Sequence, residues 1–199
     1  MTANLATLLR HSTAIAWTCL AITMNADAAS EKILFEFQTA THYPAWQIVN
    51  DDVMGGVSTS RFQILTNGGA VFSGVVSLEN NGGFASLRSS PVHENLNGLN
   101  AFVLRVRGDG RRYKFTVRTE SGFDTSIYQC AFSTKDGEWQ EHRLLLKDFV
   151  PTFRGRVLTD VAPLDPAKVT SVGFLISDGQ RGPFQLELSW IKATPSSRD

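Results

Sequence analysis

The sequence predicts an all-β protein built as a sandwich of two antiparallel sheets. Three observations support this: ten short strand-like runs, alternation of apolar and polar residues along many of them, and turn residues between them. In one run, Phe102, Leu104 and Val106 share a predicted face, while Arg105 and Arg107 lie on the other. No convincing amphipathic helix interrupts the series, which favours a β-sandwich.

The predicted strands are separated by short connections rich in Gly, Asn, Asp and Pro. They span residues 33–37, 61–65, 70–78, 84–90, 101–108, 113–119, 126–133, 139–146, 169–178 and 184–193. Asn-Gly and Asp-Gly turns tolerate positive φ, so hairpins are predicted at residues 66–70, 108–112 and 135–139.

The long connection from residue 147 to residue 168 contains three prolines, so no regular central strand is expected there. Asp165 is predicted to cap a single helical turn in which Pro166 takes the first position.

Composition indicates one soluble globular domain. The 199-residue chain has no formal net charge, with 42% hydrophobic and 19% charged residues. Its lysines and arginines are dispersed, so neither a nucleic-acid footprint nor a basic patch for an anionic membrane is predicted.

Residues 1–28 have the pattern of a secretory signal peptide. Arg10 precedes an apolar run without ionised side chains, and "ADA" supplies a small-x-small cleavage pattern. A mitochondrial transit peptide is the alternative. We expect a periplasmic or secreted protein with a domain at residues 29–193 and a polar tail at 194–199. No stable membrane insertion is expected after cleavage.

Cleavage of this leader would remove Cys19 and leave Cys130 without a disulfide partner. Strand alternation places Cys130 on the same face as Tyr128 and Phe132, which predicts a small buried core residue.

The stretch "WQIVNDDVMGGVSTSRF" suits a binding loop and equally a tight turn. We favour an architectural loop in which Asp51 or Asp52 caps a turn and the glycines take left-handed angles. Asp52 in particular is expected to accept backbone N–H bonds. A calcium site is the alternative, with Asn50, both aspartates and Ser58 as oxygen ligands. Met54 is flexible and apolar, and is expected to contact a partner.

A second cluster, "ENNGGFASLRS", is interpreted as a hairpin loop. The alternative is a sugar contact in which Asn80 and Asn81 donate hydrogen bonds and Phe84 stacks. Arg88 alternates with Leu87 and is expected to face away from the core.

No catalytic constellation is evident. Trp46, Trp139 and Trp190 are interpreted as packing residues, with a carbohydrate-stacking platform as the alternative. The histidines lack metal-ligand spacing, and neither a nucleophile elbow nor a phosphate loop is present. The sequence therefore predicts no enzyme, no cofactor and no metal site.

Five stretches in order resemble the complex I intermediate-associated protein 30 family, assembly factors of NADH:ubiquinone oxidoreductase. They are "WQIVNDDVMGGVSTSRF", "FSGVVSLENNGGFASLRS", "LRVRGDGRRYKF", "DGEWQEHRLLLKDFVPTFRGR" and "VGFLISDGQRGPFQLELSWIKA". The resemblance covers roughly residues 33–193. It implies a galactose-binding-domain-like jelly roll without known enzymatic activity, and mitochondrial members that act as chaperones of complex I intermediates.

The family motifs mark the candidates for partner or ligand binding. They are Asn50, Asp52, Met54, Gly55, Gly56, Ser58, Asn81, Gly83, Phe84, Arg88, Arg154 and Arg156. We expect a non-catalytic interaction protein that assists complex assembly, with protein partners such as respiratory-complex subunits. The alternative is an exported carbohydrate-binding module.

Overall fold

The computed structural model describes residues 30–37, 45–66, 68–120, 122 and 125–196. These ranges form two antiparallel sheets, which confirms the all-β prediction. The strands are β1 (Lys32–Glu36), β2 (Trp46–Asn50), β3 (Thr59–Ile64), β4 (Ala70–Val76), β5 (Ala85–Ser89), β6 (Ala101–Arg107), β7 (Arg112–Arg118), β8 (Ile127–Ser133), β9 (Trp139–Leu145), β10 (Val150–Phe153), β11 (Arg156–Val157), β12 (Ser171–Ile176) and β13 (Gly182–Thr194).

Sheet A has the strand order β3-β4-β13-β6-β9, and β1 also pairs with β13. The 13-residue strand β13 makes this possible because β4 pairs with its first half and β1 with its second half. Sheet B has the order β11-β10-β8-β7-β12-β5-β2.

The core lies between the sheets because alternate positions of each strand are apolar and point inward. From sheet A, Phe102 is 1% exposed; from sheet B, Phe115 and Phe174 are fully buried. The rings of Phe115 and Phe174 pack edge to face, with centroids 5.4 Å apart. Cys130 is also buried on this side of its strand, as its alternation with Tyr128 and Phe132 predicts.

All ten predicted strands are present, but three strands were not predicted. β2 lies inside the stretch interpreted as a loop, and β10 and β11 lie in the proline-containing connection. β10 accommodates Pro151 because it lies next to the two-residue edge strand β11. Asp165 caps the following 3₁₀ turn (Pro166–Lys168) as predicted, accepting the N–H of Ala167 at 2.9 Å.

Two predicted hairpins are wrong, although Gly110 and Gly137 have the expected positive φ. The turn at 108–112 connects β6 of sheet A to β7 of sheet B, and the turn at 135–139 connects β8 to β9 between the same sheets. The two turns meet instead, through a 2.9 Å hydrogen bond from the N–H of Gly137 to the Gly108 carbonyl. A local turn signal fixes backbone angles, whereas strand pairing depends on the rest of the molecule.

The predicted leader at residues 1–28 and residues 197–199 of the predicted tail lie outside the described residues.

Candidate functional site

The candidate site is built around a buried aspartate at the end of β2. A 3₁₀ turn (Asp51–Met54) begins directly after Asn50 and ends at Gly55, whose φ of 88° is left-handed. This turn directs the Asp51 side chain into the protein, where its exposed fraction is 0%, and leaves Asp52 exposed.

The Asp51 carboxylate joins two loops that are distant in sequence. Oδ1 accepts the backbone N–H of Ser58 at 2.9 Å, and Oδ2 accepts the Ser58 hydroxyl at 2.5 Å. Oδ2 also accepts the backbone N–H groups of Gly83 at 2.6 Å and Phe84 at 3.2 Å. One carboxylate therefore holds the β2–β3 connection against the β4–β5 connection, an arrangement that we call the Asp51 clamp.

Two glycines allow the clamp to close. A Cβ placed on Gly56 would lie 2.4 Å from Cγ of Asp51, and one on Gly82 would lie 2.6 Å from Oδ2. Both separations are shorter than van der Waals contact, so any side chain at these positions would displace the carboxylate. One glycine from each of the pairs 55–56 and 82–83 thus leaves room for the same carboxylate.

The clamp favours the ionised carboxylate. Burial by itself would raise the pKa of Asp51, but hydrogen bonds from the Ser58 hydroxyl and from backbone N–H groups of Gly83, Ser58 and Phe84 lower it below the ordinary 3.8. An ionised carboxylate accepts hydrogen bonds at both oxygens, whereas a protonated one carries an O–H donor and is a weaker acceptor, so protonation would weaken the clamp.

These contacts correct one prediction. Asp51, and not Asp52, accepts the backbone N–H bonds, because the 3₁₀ turn begins at Asp51. The donors around Asp51 occupy both of its oxygens, which gives no support to the calcium alternative. The described residues also contain no group of three His, Cys, Asp or Glu side chains able to hold a metal ion.

The cluster "ENNGGFASLRS" is not a hairpin loop, because β4 belongs to sheet A and β5 to sheet B. Its 3₁₀ turn (Glu79–Asn81) has left-handed backbone angles at Asn80 and Asn81, with φ of 54° and 58°. Asn80 faces the other loop and donates its side-chain N–H to the Gly55 carbonyl at 3.2 Å.

Five exposed apolar side chains lie in these loops or at the adjoining end of β4, and we call this set the loop ridge. Met54 is 64% exposed. Val57 lies two residues before Thr59, which pairs with Val75, and Leu78 adjoins Gly83. The complete set is Val53, Met54, Val57, Val75 and Leu78.

The structure brings nine of the twelve predicted site residues to this end of the sandwich. Asn50, half-buried, accepts the Ser60 hydroxyl at 2.7 Å. Arg88 lies apart on the outer face of β5, away from the core as predicted, and burial lowers its pKa. Arg154 and Arg156 lie at the opposite edge of sheet B, around the tight turn between β10 and β11.

Sequence reasoning did not identify Asp51 as the central residue or the valines and Leu78 of the ridge. Two adjacent aspartates followed by the Gly-Gly pairs at 55–56 and 82–83 indicate a carboxylate that accepts backbone N–H bonds. They do not indicate which aspartate does so, since that depends on where the turn begins.

A second carboxylate, Asp109, ties the sheets together near the other turns. It accepts the hydroxyl of the buried Tyr113 at 2.9 Å and the backbone N–H of Gln185 at 2.9 Å. Burial and the negative charge of Asp109 raise the pKa of Tyr113. Asp109 and Tyr113, both in the stretch "LRVRGDGRRYKF", therefore have a structural role.

The outer face of sheet A carries Trp139 and Trp190. Across the strands, Trp190 pairs with Arg105, and Arg107 pairs with Trp139. The guanidinium of Arg107 lies 5.2 Å from the Trp139 ring centre, and the Lys192 ammonium 4.5 Å from that of Trp190. A groove of about 410 Å³ borders Trp190; it is lined by Glu31, Val103, Glu141, Arg143, Trp190, Lys192 and Thr194.

Trp46, by contrast, is partly buried and packs against the core, as predicted. Its ring centre lies 4.9 Å from that of Phe35 and 5.4 Å from that of Phe62.

None of the helical segments in the described residues is long and apolar enough to cross a bilayer.

Comparison with known proteins identifies the family. The model of the complex I intermediate-associated protein 30 family matches residues 35–188, which include both loops of the clamp and Asp109. The chain belongs to this family. The resemblance inferred from the sequence motifs is therefore confirmed.

Relatives in the family carry the name complex I intermediate-associated protein 30, mitochondrial. The Drosophila melanogaster protein is 27% identical over 191 residues, covering 84% of this chain and 64% of that protein. The Mus musculus protein is 27% identical over 180 residues, covering 80% of this chain and 55% of its own length. The chain thus spans little more than half to about two thirds of these relatives.

Solved structures similar to this family member share its fold at low sequence identity. A family 11 carbohydrate-binding module from Clostridium thermocellum, in complex with a β-1,3-1,4-mixed-linked tetrasaccharide, superposes with a TM-score of 0.64 at 15% identity, covering 85% of this chain and 98% of that one. An agarase matches with a TM-score of 0.58 at 12% identity, over 86% of this chain and 25% of its own. The fold is the jelly-roll β-sandwich that the family resemblance implied.

Proposed function

We propose that this chain is a non-catalytic protein-binding module that assists assembly of a respiratory or envelope complex. Family membership supports an assembly-factor-like role and protein partners. The observation that carries the proposal is the loop ridge, whose apolar side chains stay exposed although the loops that present them are tied to a buried charge.

The loops hold this surface in a fixed arrangement. Apolar side chains on a loose loop would have to become fixed on binding, and that ordering reduces affinity. Asp51 and Gly56 hold the loops in one arrangement before a partner arrives. Such a surface suits the temporary holding of an assembly intermediate whose own apolar surface is not yet covered.

Affinity capture from detergent-solubilised membranes of the native cell tests this function. We expect complex I subunits among the captured proteins, and partially assembled complex I on native gels from cells that lack the chain. Failure to capture any respiratory subunit, combined with normal complex I assembly in those cells, would contradict the proposal.

A second candidate function, carbohydrate binding, is favoured by the groove beside Trp190. Aromatic rings that stack on sugars, next to charged side chains such as Glu141 and Arg143, are common in carbohydrate sites. The fold likeness to the family 11 module is compatible with this candidate.

Calorimetric titration with mixed-linked β-glucan oligosaccharides distinguishes this candidate from the first. Carbohydrate binding predicts a saturable signal that Trp190→Ala abolishes and Met54→Ser leaves unchanged. No signal at millimolar oligosaccharide, or a signal that survives Trp190→Ala, would rule out the groove as a sugar site.

The cellular compartment is a separate proposal. We propose that residues 1–28 direct export, whereas the relatives' names describe mitochondrial proteins. Cell fractionation with N-terminal sequencing tests this. A mature N-terminus near Ala29 in the exported fraction supports export, and an intact Met1 on a cytosolic protein contradicts it.

A further inference from the structure

We propose that the loop ridge docks a basic amphipathic segment of the partner protein. The partner's apolar face would cover Met54 and its neighbours, and its lysines or arginines would lie beside Asp52 and Glu79. This inference rests on the proposed protein-binding function and specifies the chemistry of the partner.

Exposed apolar side chains are concentrated in the loop ridge. Five of the nine large apolar side chains that are exposed in the described residues belong to the ridge. Val53 is 68% exposed and Met54 64%. Most large apolar residues of this domain are buried, so a cluster at one end of the sandwich indicates a contact surface.

The two loops that carry most of the ridge are hydrogen-bonded to each other. The Ser58 hydroxyl accepts the Ser77 N–H at 2.9 Å, and these residues directly adjoin Val57 and Leu78. Asn80 and Gly55 connect the loops again at 3.2 Å, next to Met54. The surface is thus formed before binding. A preformed apolar surface suits docking of the apolar face of a partner helix, because little ordering is then needed on binding.

Exposed carboxylates beside the ridge favour a basic partner. Asp52 directly precedes Val53, and Glu79 directly follows Leu78, so an exposed carboxylate adjoins the ridge on each loop. Across the described ranges, neither carboxylate lies within ion-pair distance of a lysine or arginine. Two unpaired negative charges beside an apolar surface attract a segment with lysines flanking its apolar face and repel an anionic lipid surface.

Synthetic peptides of matched design test this inference on the full chain. The basic peptide places leucines on one helical face with lysines beside them, and the acidic peptide replaces those lysines with glutamates. We expect fluorescence anisotropy to detect the basic peptide only, with binding that weakens as salt concentration rises. Vesicles rich in phosphatidylserine should not bind. Equal binding of both peptides, or binding to the vesicles instead, would overturn the inference.

Variants at exposed positions locate the contact without disturbing the fold. Met54→Ser should weaken binding of the basic peptide by about tenfold. Val157→Ser, at a valine that is also 64% exposed but on the far edge strand β11, should not. Asp52→Asn with Glu79→Gln should weaken binding and flatten its salt dependence, whereas Glu94→Gln should change neither. Unchanged binding in Met54→Ser, with a circular dichroism spectrum like that of the wild type, would overturn the inference.

The same variants separate this inference from the proposed function. If the wild type and Met54→Ser capture complex I subunits equally well from membranes, the protein-binding function stands and the ridge is not its docking site. If the wild type captures no respiratory subunit yet binds the basic peptide through Met54, the docking surface stands and the assembly role fails.

Discussion

Oδ2 of Asp51 lies 2.6 Å from the backbone nitrogen of Gly83, 32 residues later in the chain. Asp51 follows β2 of sheet B on the way to sheet A, and Gly83 precedes β5 where the chain returns to sheet B. This single contact therefore fixes two crossings between the sheets. Its loss should affect both global stability and the arrangement of the loop ridge.

Asp51→Asn should destabilise the domain by about 1–3 kcal/mol, because the amide retains one acceptor and places an N–H donor against the N–H groups of Ser58 or Gly83. Asp52→Asn is the control: its free energy of unfolding should lie within about 0.5 kcal/mol of the wild-type value because Asp52 is exposed. Urea unfolding of the two variants and the wild type measures the difference. Equal losses in the two variants would show that Asp51 is not the structural carboxylate.

Gly56→Ala should be more damaging than Gly55→Asn. The new Cβ at residue 56 would meet the Asp51 carboxylate at 2.4 Å, and overpacking of this kind costs about 1–3 kcal/mol. At Gly55 nothing lies within 4 Å, and asparagine tolerates the φ of 88°. Thermal melts of the two variants provide the comparison, and a lower melting temperature for Gly55→Asn would contradict the steric argument.

Acid should weaken the Asp51 clamp in a defined direction. The pKa of Asp51 in the folded protein lies below the ordinary 3.8, so the unfolded chain takes up a proton first as the pH falls. The clamp's contribution is present above pH 3.8 and is lost as the pH falls through the lowered pKa. The difference in unfolding free energy between wild type and Asp51→Asn should therefore shrink below pH 3.8 in urea titrations. A constant difference down to the acid unfolding limit would exclude this linkage.

His142 should make the domain less stable in mild acid. Its ring packs 4.9 Å from Phe132, centre to centre, and burial lowers its pKa below the ordinary 6.5. As the pH falls below 6.5, the unfolded chain binds a proton that the folded protein does not, so stability declines until the lower folded pKa is reached. Unfolding measured from pH 7.5 downwards should show this decline in wild type and not in His142→Gln. Parallel pH profiles for the two proteins would contradict the assignment.

The sequence predicted the strands far better than their partners. Phe102, Leu104 and Val106 alternate with arginines, and this local period determines both the strand and its buried face. The Asp-Gly turns likewise have the predicted positive φ at Gly110 and Gly137. Their role as hairpins was wrong, since the choice between pairing within a sheet and crossing to the other sheet depends on contacts far along the chain.

The candidate site was predicted in composition and not in geometry. Residues 50–58 and 81–84 were singled out from the sequence as two distinctive stretches, but nothing local indicates that they meet. Their meeting depends on the order of strands in two sheets, which places the β2–β3 and β4–β5 crossings at the same end of the sandwich. The exposure of Val53 and Leu78 follows from that placement, so it too was not predictable from the sequence.

The sequence by itself determined the all-β class, the inward and outward faces of its strands, the left-handed glycine turns and membership of the complex I intermediate-associated protein 30 family. Each of these depends on short-range backbone preferences, on period-two alternation or on motifs that can be read along the chain. Only the tertiary structure decided that Asp51 rather than Asp52 would be buried, and that Gly56 and Gly82 would face the same carboxylate. A buried charge needs several hydrogen-bond donors at once, and those donors come together only after both sheets have formed.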